Sequence, residues 1–213
     1  MIAAFTEGDR FLGETKKGVL TGDNERFLRL WHEVDINKAS FTMQSHDQMV
    51  KSGLKWFPVT SGGQKRKWYG NLDTVVNLEN DGDEIKRTVK NYRLRDSNYY
   101  FLSAITWTEV SMGMLTCRFV PSGILFGNGG PVCFFFADSL KYNLGLLNSK
   151  IVMSIMEYIA PTINFGPEQI SKIPVFHDHE STVERIVEKN IEDSKTDWDS
   201  FETSWDFKKH PLL

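Results

Sequence analysis

The sequence predicts a mixed α/β fold of the α+β class, in which a twisted, mainly antiparallel sheet carries flanking helices. Short segments rich in aromatic and β-branched residues follow one another in the second half of the chain, separated by turns with glycine or proline. Segments with apolar residues at helical spacing lie before and after them. The chain has 213 residues, of which 40% are apolar and 25% charged, so it can bury an ordinary globular core.

Each predicted element rests on a local pattern. A short helix is predicted at 27–34, after the capping run 21–24. The same spacing predicts a helix at 139–160, restarted at a cap near Ser149 and ended by Pro161, and an amphipathic helix at 183–191. A turn is predicted at 80–84. Strands are predicted at 55–60, 72–80, 101–111, 115–121, 123–127, 132–137 and 171–175. The strand at 171–175 is expected at a sheet edge, because it contains a proline.

Composition predicts a cytoplasmic protein without a membrane segment. No apolar run approaches the roughly 20 residues of a membrane helix. The N-terminal residues have neither the basic nor the apolar region of a secretory signal. Cys117 and Cys133 are too few for a disulfide framework and lie in apolar runs, so we expect two reduced, buried thiols.

Charge is distributed unevenly along the chain. The formal net charge is −3, but residues 51–95 contain ten basic and five acidic residues, a net charge of +5. Residues 176–213 contain five basic and ten acidic residues, a net charge of −5. Such asymmetry bears on binding partners rather than on the fold.

Motifs for catalysis within this chain are not found in the sequence. The glycine-rich run 127–131 is too short for a phosphate-binding loop and is interpreted as a hairpin or surface loop. His177 and His179 suggest a metal site only weakly, and neither cysteine lies near a cluster of polar activating groups. We therefore expect no catalytic residue, no metal and no cofactor in this chain.

A cluster of cations and aromatic residues is the strongest candidate for a functional site. The segment SGGQKRKWYGN at 61–71 joins three consecutive cations to two aromatic rings, and IKRTVKNYRLR at 85–95 repeats the combination. Cations neutralise phosphates, amides and arginines read base edges, and aromatic rings stack on exposed bases. The alternative interpretation is a solvated basic loop above a buried Trp68 and Tyr69.

Motifs along nearly the whole chain resemble those of one enzyme family. In order, they are GVLTGDNERFLRLWHEV, KWFPVTSGGQKRKWYGN, ITWTEVS, RFVPSGILF, LGLLNSK, APTINFGPEQISKIPV and DWDSFETSWDFKKHPLL. From Gly18 onward the chain resembles the region that follows the catalytic domain in the BREX-type phage-defence DNA methyltransferases, the PglX family. The segment from LLNSK to SKIPV is also similar to target-recognition domains of type I specificity subunits and related adenine methyltransferases.

The resemblance implies a target-recognition domain of an N6-adenine DNA methyltransferase. The Asn-Pro-Pro-Tyr tetrapeptide and the glycine-rich S-adenosylmethionine motif of the catalytic domain are absent from the sequence, so the cofactor and the methyl transfer are expected elsewhere in the parent polypeptide. The implied partners are double-stranded DNA, the catalytic domain of the same polypeptide and other defence proteins. The implied division is an N-terminal helical connection at 1–50, a recognition core at 51–176, and a C-terminal helix with an acidic aromatic tail at 177–213.

Residue roles follow from the resemblance together with the cation cluster. We expect phosphate contacts from residues 65–67 and base-edge contacts from Gln64, Asn71, Arg93 and Arg95, with Trp68 as either a DNA contact or a structural anchor. The full set of expected DNA-binding residues is Gln64, Lys65, Arg66, Lys67, Trp68, Tyr69, Asn71, Lys86, Arg87, Lys90, Arg93 and Arg95.

Two segments and two other functions complete the expectations. Residues 21–27 are a candidate junction with the catalytic domain, and the tail aromatics are expected to pack on a surface outside this chain. One alternative function is a protein-interaction module that uses this tail. Another is a metal-dependent enzyme that uses His177 and His179.

Overall fold

Strands and helices of the chain form a mixed α/β structure. A computed structural model describes residues 13–111, 113–135, 139–160, 163–175 and 179–210. Its strands are β1 (Gly13–Lys16), β2 (Leu28–Leu30), β3 (Trp56–Thr60), β4 (Thr74–Asn77), β5 (Ala104–Trp107), β6 (Cys117–Val120), β7 (Leu125–Phe126) and β8 (Val132–Phe135). Its helices are α1 (Asn24–Phe27), α2 (His46–Ser52), α3 (Glu79–Thr88), α4 (Leu140–Leu147), α5 (Lys150–Ile159), α6 (Pro167–Ile170) and α7 (Glu180–Trp198).

The strands form two four-stranded sheets rather than the single sheet that the sequence suggested. The first sheet has the order β1-β8-β5-β6, and its strand pairs are antiparallel. The second has the order β2-β4-β3-β7, in which only the β3–β7 pair is parallel. The predicted α+β class with mainly antiparallel pairing is thus confirmed.

Two large hydrophobic clusters form most of the core, and strands β5 and β8 of the first sheet contribute residues to both. Residues of β3, β4, β7 and β8 share one hydrophobic cluster with Ile85 of α3 and with Phe27. Helices α4, α5 and α7 contribute to a second cluster on β5 and β6, where Leu144, Val152 and Val187 are buried. The predicted cap of α5 is confirmed, because Ser149 Oγ accepts a hydrogen bond from the Val152 amide at 3.2 Å.

Three segments differ from their predicted form. The predicted helix at 27–34 becomes a strand after Phe27, because Leu28 pairs with Val76 of β4. The predicted turn at 80–84 opens α3 instead, with three residues in the left-handed region before the regular helix begins. The predicted strand at 171–175 is wrong: a turn follows helix α6 there, and it buries Ile173 three residues after the buried Ile170 of α6.

The tail aromatics were expected to pack on a surface outside this chain. In the structure, Trp198 and Trp205 of the tail pack on the chain itself. Trp198 is 7% exposed and lies in a third cluster with Tyr69 and Leu72. Trp205 stacks at a tilt on Phe41, with ring centroids 4.8 Å apart. These aromatic contacts fix the tail beside the basic loop. Among the described residues, no helix has the length and apolar character needed to span a membrane.

Candidate nucleic-acid interface

The basic loop is the connection 61–73 between β3 and β4, and it closes on itself. Asn71 lies in the left-handed region with φ 57° and donates its side-chain amide to two carbonyls of the loop. The distances are 3.0 Å to Gly62 and 2.7 Å to Gln64. Asparagine tolerates this backbone conformation and spans such turns well. The nitrogen expected to read a base is therefore engaged within the loop.

Two of the three consecutive cations are held by the protein. The Arg66 guanidinium pairs with Asp197 at 2.9 Å and lies over the Trp198 ring, 5.2 Å from its centroid. Lys67 Nζ donates to the Asn148 carbonyl at 3.1 Å, and its partial burial lowers the pKa of Lys67 below the ordinary value. Lys65 is exposed and forms no ion pair with any described residue. Of the three, Lys65 is the one free to meet a phosphate.

The two aromatic residues of the loop point inward. The Trp68 backbone joins the loop to β6, because its amide donates to the Cys117 carbonyl at 3.0 Å and its carbonyl accepts from the Phe119 amide at 2.7 Å. Tyr69 is 4% exposed, and its burial raises the pKa of its hydroxyl. Lys195 lies 5.3 Å from the Tyr69 ring centroid. This arrangement favours the anchoring role that the sequence left open for these rings.

Sequence reasoning missed Arg118, which supports the loop from below. Arg118 is only 1% exposed, and its Nη2 donates to the Gly62 carbonyl at 3.1 Å and to Thr108 Oγ1 at 3.4 Å. Its Nη1 reaches the Arg66 carbonyl at 3.4 Å. Burial lowers the pKa of Arg118 to about 10. The available signal was an arginine inside the otherwise apolar strand run of β6.

The second basic segment, 85–95, also contains both paired and unpaired cations. Lys86 binds Asp81 at 2.6 Å, and Arg87 binds Asp83 at 3.0 Å. The side chains that are exposed and have no acidic partner within the described residues are those of Lys90, Arg93 and Arg95. Four of the predicted cations, counting Lys65, are thus available to an external anion.

A ladder of backbone pairs connects the two basic segments. Arg93 exchanges two hydrogen bonds with Leu20, at 2.8 and 2.9 Å. The neighbouring Val19 pairs with Gly127, and Phe126 pairs with Thr60 at the base of the loop. Three steps of about 4.8 Å place Arg93 roughly 14 Å from that base.

Two clefts border the basic loop and share Ser61. The loop–tail cleft has a volume of about 340 Å³, and its lining includes Gln64, Arg66, Asn71, Asp73, Trp198 and Phe201. The second cleft has a volume of about 230 Å³, and its lining includes Thr21, Asn24, Thr60, Gly127, Asn128 and Gly129. The run 127–131, expected to be a hairpin or surface loop, connects β7 of the second sheet to β8 of the first. Its first three residues line the second cleft.

Groups that could support other chemistry are placed differently. Burial raises the pKa of the Cys117 thiol to about 12 and also raises that of Cys133. The run 127–131 leads into a strand, so it lacks the strand–loop–helix geometry that binds nucleotide phosphates. Within the described ranges, no three His, Cys, Asp or Glu side chains group as metal ligands would. His177 and Pro161 lie outside the described residues.

Two curated relatives match nearly the whole chain. Adenine-specific methyltransferase PglX of Lacticaseibacillus casei (strain Zhang) is 38% identical over 206 residues, which are 93% of this chain and 17% of the relative. Adenine-specific methyltransferase BrxX of Escherichia coli O9:H4 (strain HS) is 41% identical over 201 residues, which are 92% of this chain and 16% of the relative. No family model matches the chain.

The matches confirm the resemblance inferred from the motifs, while the chain spans only about one-sixth of the length of these relatives. Over nearly its whole length, the chain is homologous to one part of the PglX and BrxX adenine-specific methyltransferases.

Proposed function

We propose that this chain is the DNA target-recognition region of a BREX-type adenine-specific DNA methyltransferase. The observation that carries the proposal is the match of more than nine-tenths of the chain to two proteins named as adenine-specific methyltransferases. Enzymes that modify a base must take it out of the duplex, which requires a firm grip on the DNA nearby. A region with exposed, unpaired cations is suited to supply that grip.

The unpaired cations are the groups expected to contact DNA phosphates. Lys65 and Arg93 belong to the two basic segments, which the backbone ladder connects. Each contact between such a side chain and a phosphate releases condensed counterions, so DNA affinity falls with salt. In this proposal, S-adenosylmethionine binding and methyl transfer belong to the rest of the parent polypeptide. The region lies C-terminal to that catalytic part.

The alternative of a protein-interaction module loses its main support. It depended on free aromatic residues in the tail, but Trp198 and Trp205 are used in contacts within this chain. DNA binding is accordingly the function that we test.

The test measures the affinity for a labelled mixed-sequence duplex by fluorescence anisotropy at several salt concentrations. We expect the logarithm of the association constant to fall linearly with that of the salt concentration. Lys65→Glu and Arg93→Glu should each weaken binding and reduce the magnitude of the slope by about one unit. Single substitutions are needed, because reversing Arg66 or Lys67 would also break contacts that hold the loop.

The control is Lys189→Glu on helix α7, where the lysine pairs with Asp193 at 3.1 Å. It makes the same change in net charge on the acidic helix and should leave the slope unchanged. Absence of binding by the unaltered chain at low salt would contradict the proposal. Equal losses in all three variants would show that net charge matters and the basic segments do not.

A further inference from the structure

The loop–tail cleft lies between the basic loop and the C-terminal tail, and its lining residues are suited to bind a planar polar ring. Its volume of about 340 Å³ is at the lower end of the range for small-ligand sites. Its lining combines an amide, a carboxylate, a hydroxyl and two aromatic rings, from Gln64, Asp73, Ser61, Trp198 and Phe201. Sequence patterns do not indicate this combination, because these residues come from segments more than 120 positions apart.

Electrostatics argues against a phosphate in this cleft. The Asp73 carboxylate would repel a phosphate, whereas it accepts hydrogen bonds from the amino groups of bases. The charge of Arg66, the cation among the lining residues named above, is already balanced by Asp197 at 2.9 Å. A neutral ligand that carries hydrogen-bond donors therefore fits the lining better than an anion.

Stacking and hydrogen bonding point to the same kind of ligand. Phe201 is 48% exposed although it is a large apolar residue, and it lies at the cleft beside the mostly buried Trp198. Aromatic rings at a cleft stack on exposed bases. The Gln64 side chain is exposed and forms no hydrogen bond with the described residues, so it can both donate to and accept from a base edge.

We propose that the loop–tail cleft binds a single unpaired nucleobase of the bound DNA, stacked on Phe201 and hydrogen-bonded by Gln64 and Asp73. This inference rests on the proposed function and extends it from a grip on phosphates to capture of one base. A concave site accepts a base that protrudes from the duplex, and not base edges that remain in a groove. Extrusion of an adenine for methylation leaves such a base without its partner on the opposite strand.

The experiment compares the affinity of the full chain for a perfect duplex and for the same duplex with one bulged base, by fluorescence anisotropy. The unaltered chain should bind the bulged duplex roughly tenfold more tightly. Phe201→Ala and Gln64→Ala should each remove most of this preference, and Phe201→Ala should leave the affinity for the perfect duplex unchanged. The matched control is Tyr158→Ala, in which an aromatic residue that is 84% exposed is removed from helix α5, an element that contributes no lining residue to this cleft.

The outcomes separate this inference from the proposed function. If the chain binds the perfect duplex with the expected salt dependence but shows no preference for the bulge, base capture is refuted and the proposed function stands. If it binds neither duplex at low salt, both are refuted. A preference that survives both substitutions would place the unpaired base elsewhere and overturn the assignment. Circular dichroism of the variants, which alter exposed side chains, confirms that they are folded.

Discussion

At the residue scale, Arg118 shows how a buried charge is used without an acidic partner. Its guanidinium donates to loop carbonyls and a threonine hydroxyl, and its Nε has no hydrogen-bond partner among the described residues. Removing a charged group from water costs several kcal/mol unless hydrogen bonds replace the solvent. Because two of the acceptors are the carbonyls of Gly62 and Arg66, these hydrogen bonds stabilise the conformation of the basic loop. Arg118 thus acts as a positioning residue, since it is too buried to touch DNA.

We predict that Arg118→Ala lowers the free energy of unfolding by about 2–5 kcal/mol. The substitution leaves a cavity under the loop and removes one donor from each of two loop carbonyls. Urea denaturation measures the change. The control is Arg87→Ala, an exposed arginine paired with Asp83, which should change the free energy by no more than about 0.5 kcal/mol. A loss below about 1 kcal/mol for Arg118→Ala would mean that water can replace the guanidinium.

At the element scale, the candidate site depends on how closely two glycine-rich connections approach each other. Gly62 has φ 90°, and a Cβ atom there would lie 2.8 Å from the Gly129 carbonyl oxygen. The loop 61–73 and the connection after β7 can therefore touch only where neither has a side chain. Their contact shapes both clefts, which share Ser61.

We predict that Gly62→Ala destabilises the protein by about 1–3 kcal/mol more than Gly53→Ala. Both glycines have positive φ, so both substitutions incur the conformational cost. Only Gly62 has a neighbour in the way, because nothing lies within 4 Å of a Cβ atom at Gly53. Thermal or urea unfolding of the two variants isolates the cost of the contact. Equal destabilisation would show that the two connections can move apart freely.

The elements also show where sequence patterns succeed. Strands β3 to β8 were predicted because β-branched and aromatic residues mark them, and the Ser149 cap marked the start of α5. The segment after Phe27 was predicted as a helix, but it pairs with β4, since a tertiary partner outweighs weak local preference. At 171–175, valine and isoleucine suggested a strand, whereas burial of Ile170 and Ile173 requires a turn.

The candidate site was predictable in location but not in detail. Runs of cations identified both basic segments, and the family motifs identified the homologues. Sequence alone could not tell that Arg66 pairs with Asp197 or that Lys67 binds the Asn148 carbonyl, because those partners lie 131 and 81 positions away. For the same reason, the sequence did not reveal a cleft between the loop and the tail. The DNA-binding roles themselves stay predictions.

At the scale of the whole molecule, the basic middle and the acidic end of the sequence meet in space. Arg66 of the loop pairs with Asp197, and Trp31 Nε1 donates to the Thr203 carbonyl of the tail at 3.0 Å. Within the tail, burial opposes the charge of Lys195, but hydrogen bonds to Asp199 and Asp206 raise its pKa above the ordinary value. Part of the charge asymmetry is therefore neutralised inside the protein, and the cations that remain unpaired are the ones left for a partner.

Trp198 is the tail residue with the most contacts described here to the basic loop, so we expect it to stabilise the loop conformation. Its ring lies under Arg66, shares a core cluster with Tyr69, and would lie 3.0 Å from a Cβ atom at Gly70. We predict that Trp198→Ala lowers the free energy of unfolding by about 3–5 kcal/mol. Hydrogen exchange should increase together in the loop 61–73 and in residues 31–41, which the tail also contacts through Trp31 and Phe41.

Phe201→Ala, three residues further along the tail, provides the comparison for Trp198→Ala. Phe201 is 48% exposed, so its removal should change the free energy of unfolding by no more than about 0.5 kcal/mol and leave hydrogen exchange in both segments unchanged. The two variants together test whether burial of the tail, and not its mere presence, orders the loop. If Trp198→Ala accelerates exchange in the tail but not in the loop, contacts other than Trp198, such as those of Arg118, Asn71 and the Trp68 backbone, are enough to hold the loop. The acidic tail would then be an accessory to the basic loop and not part of one site with it.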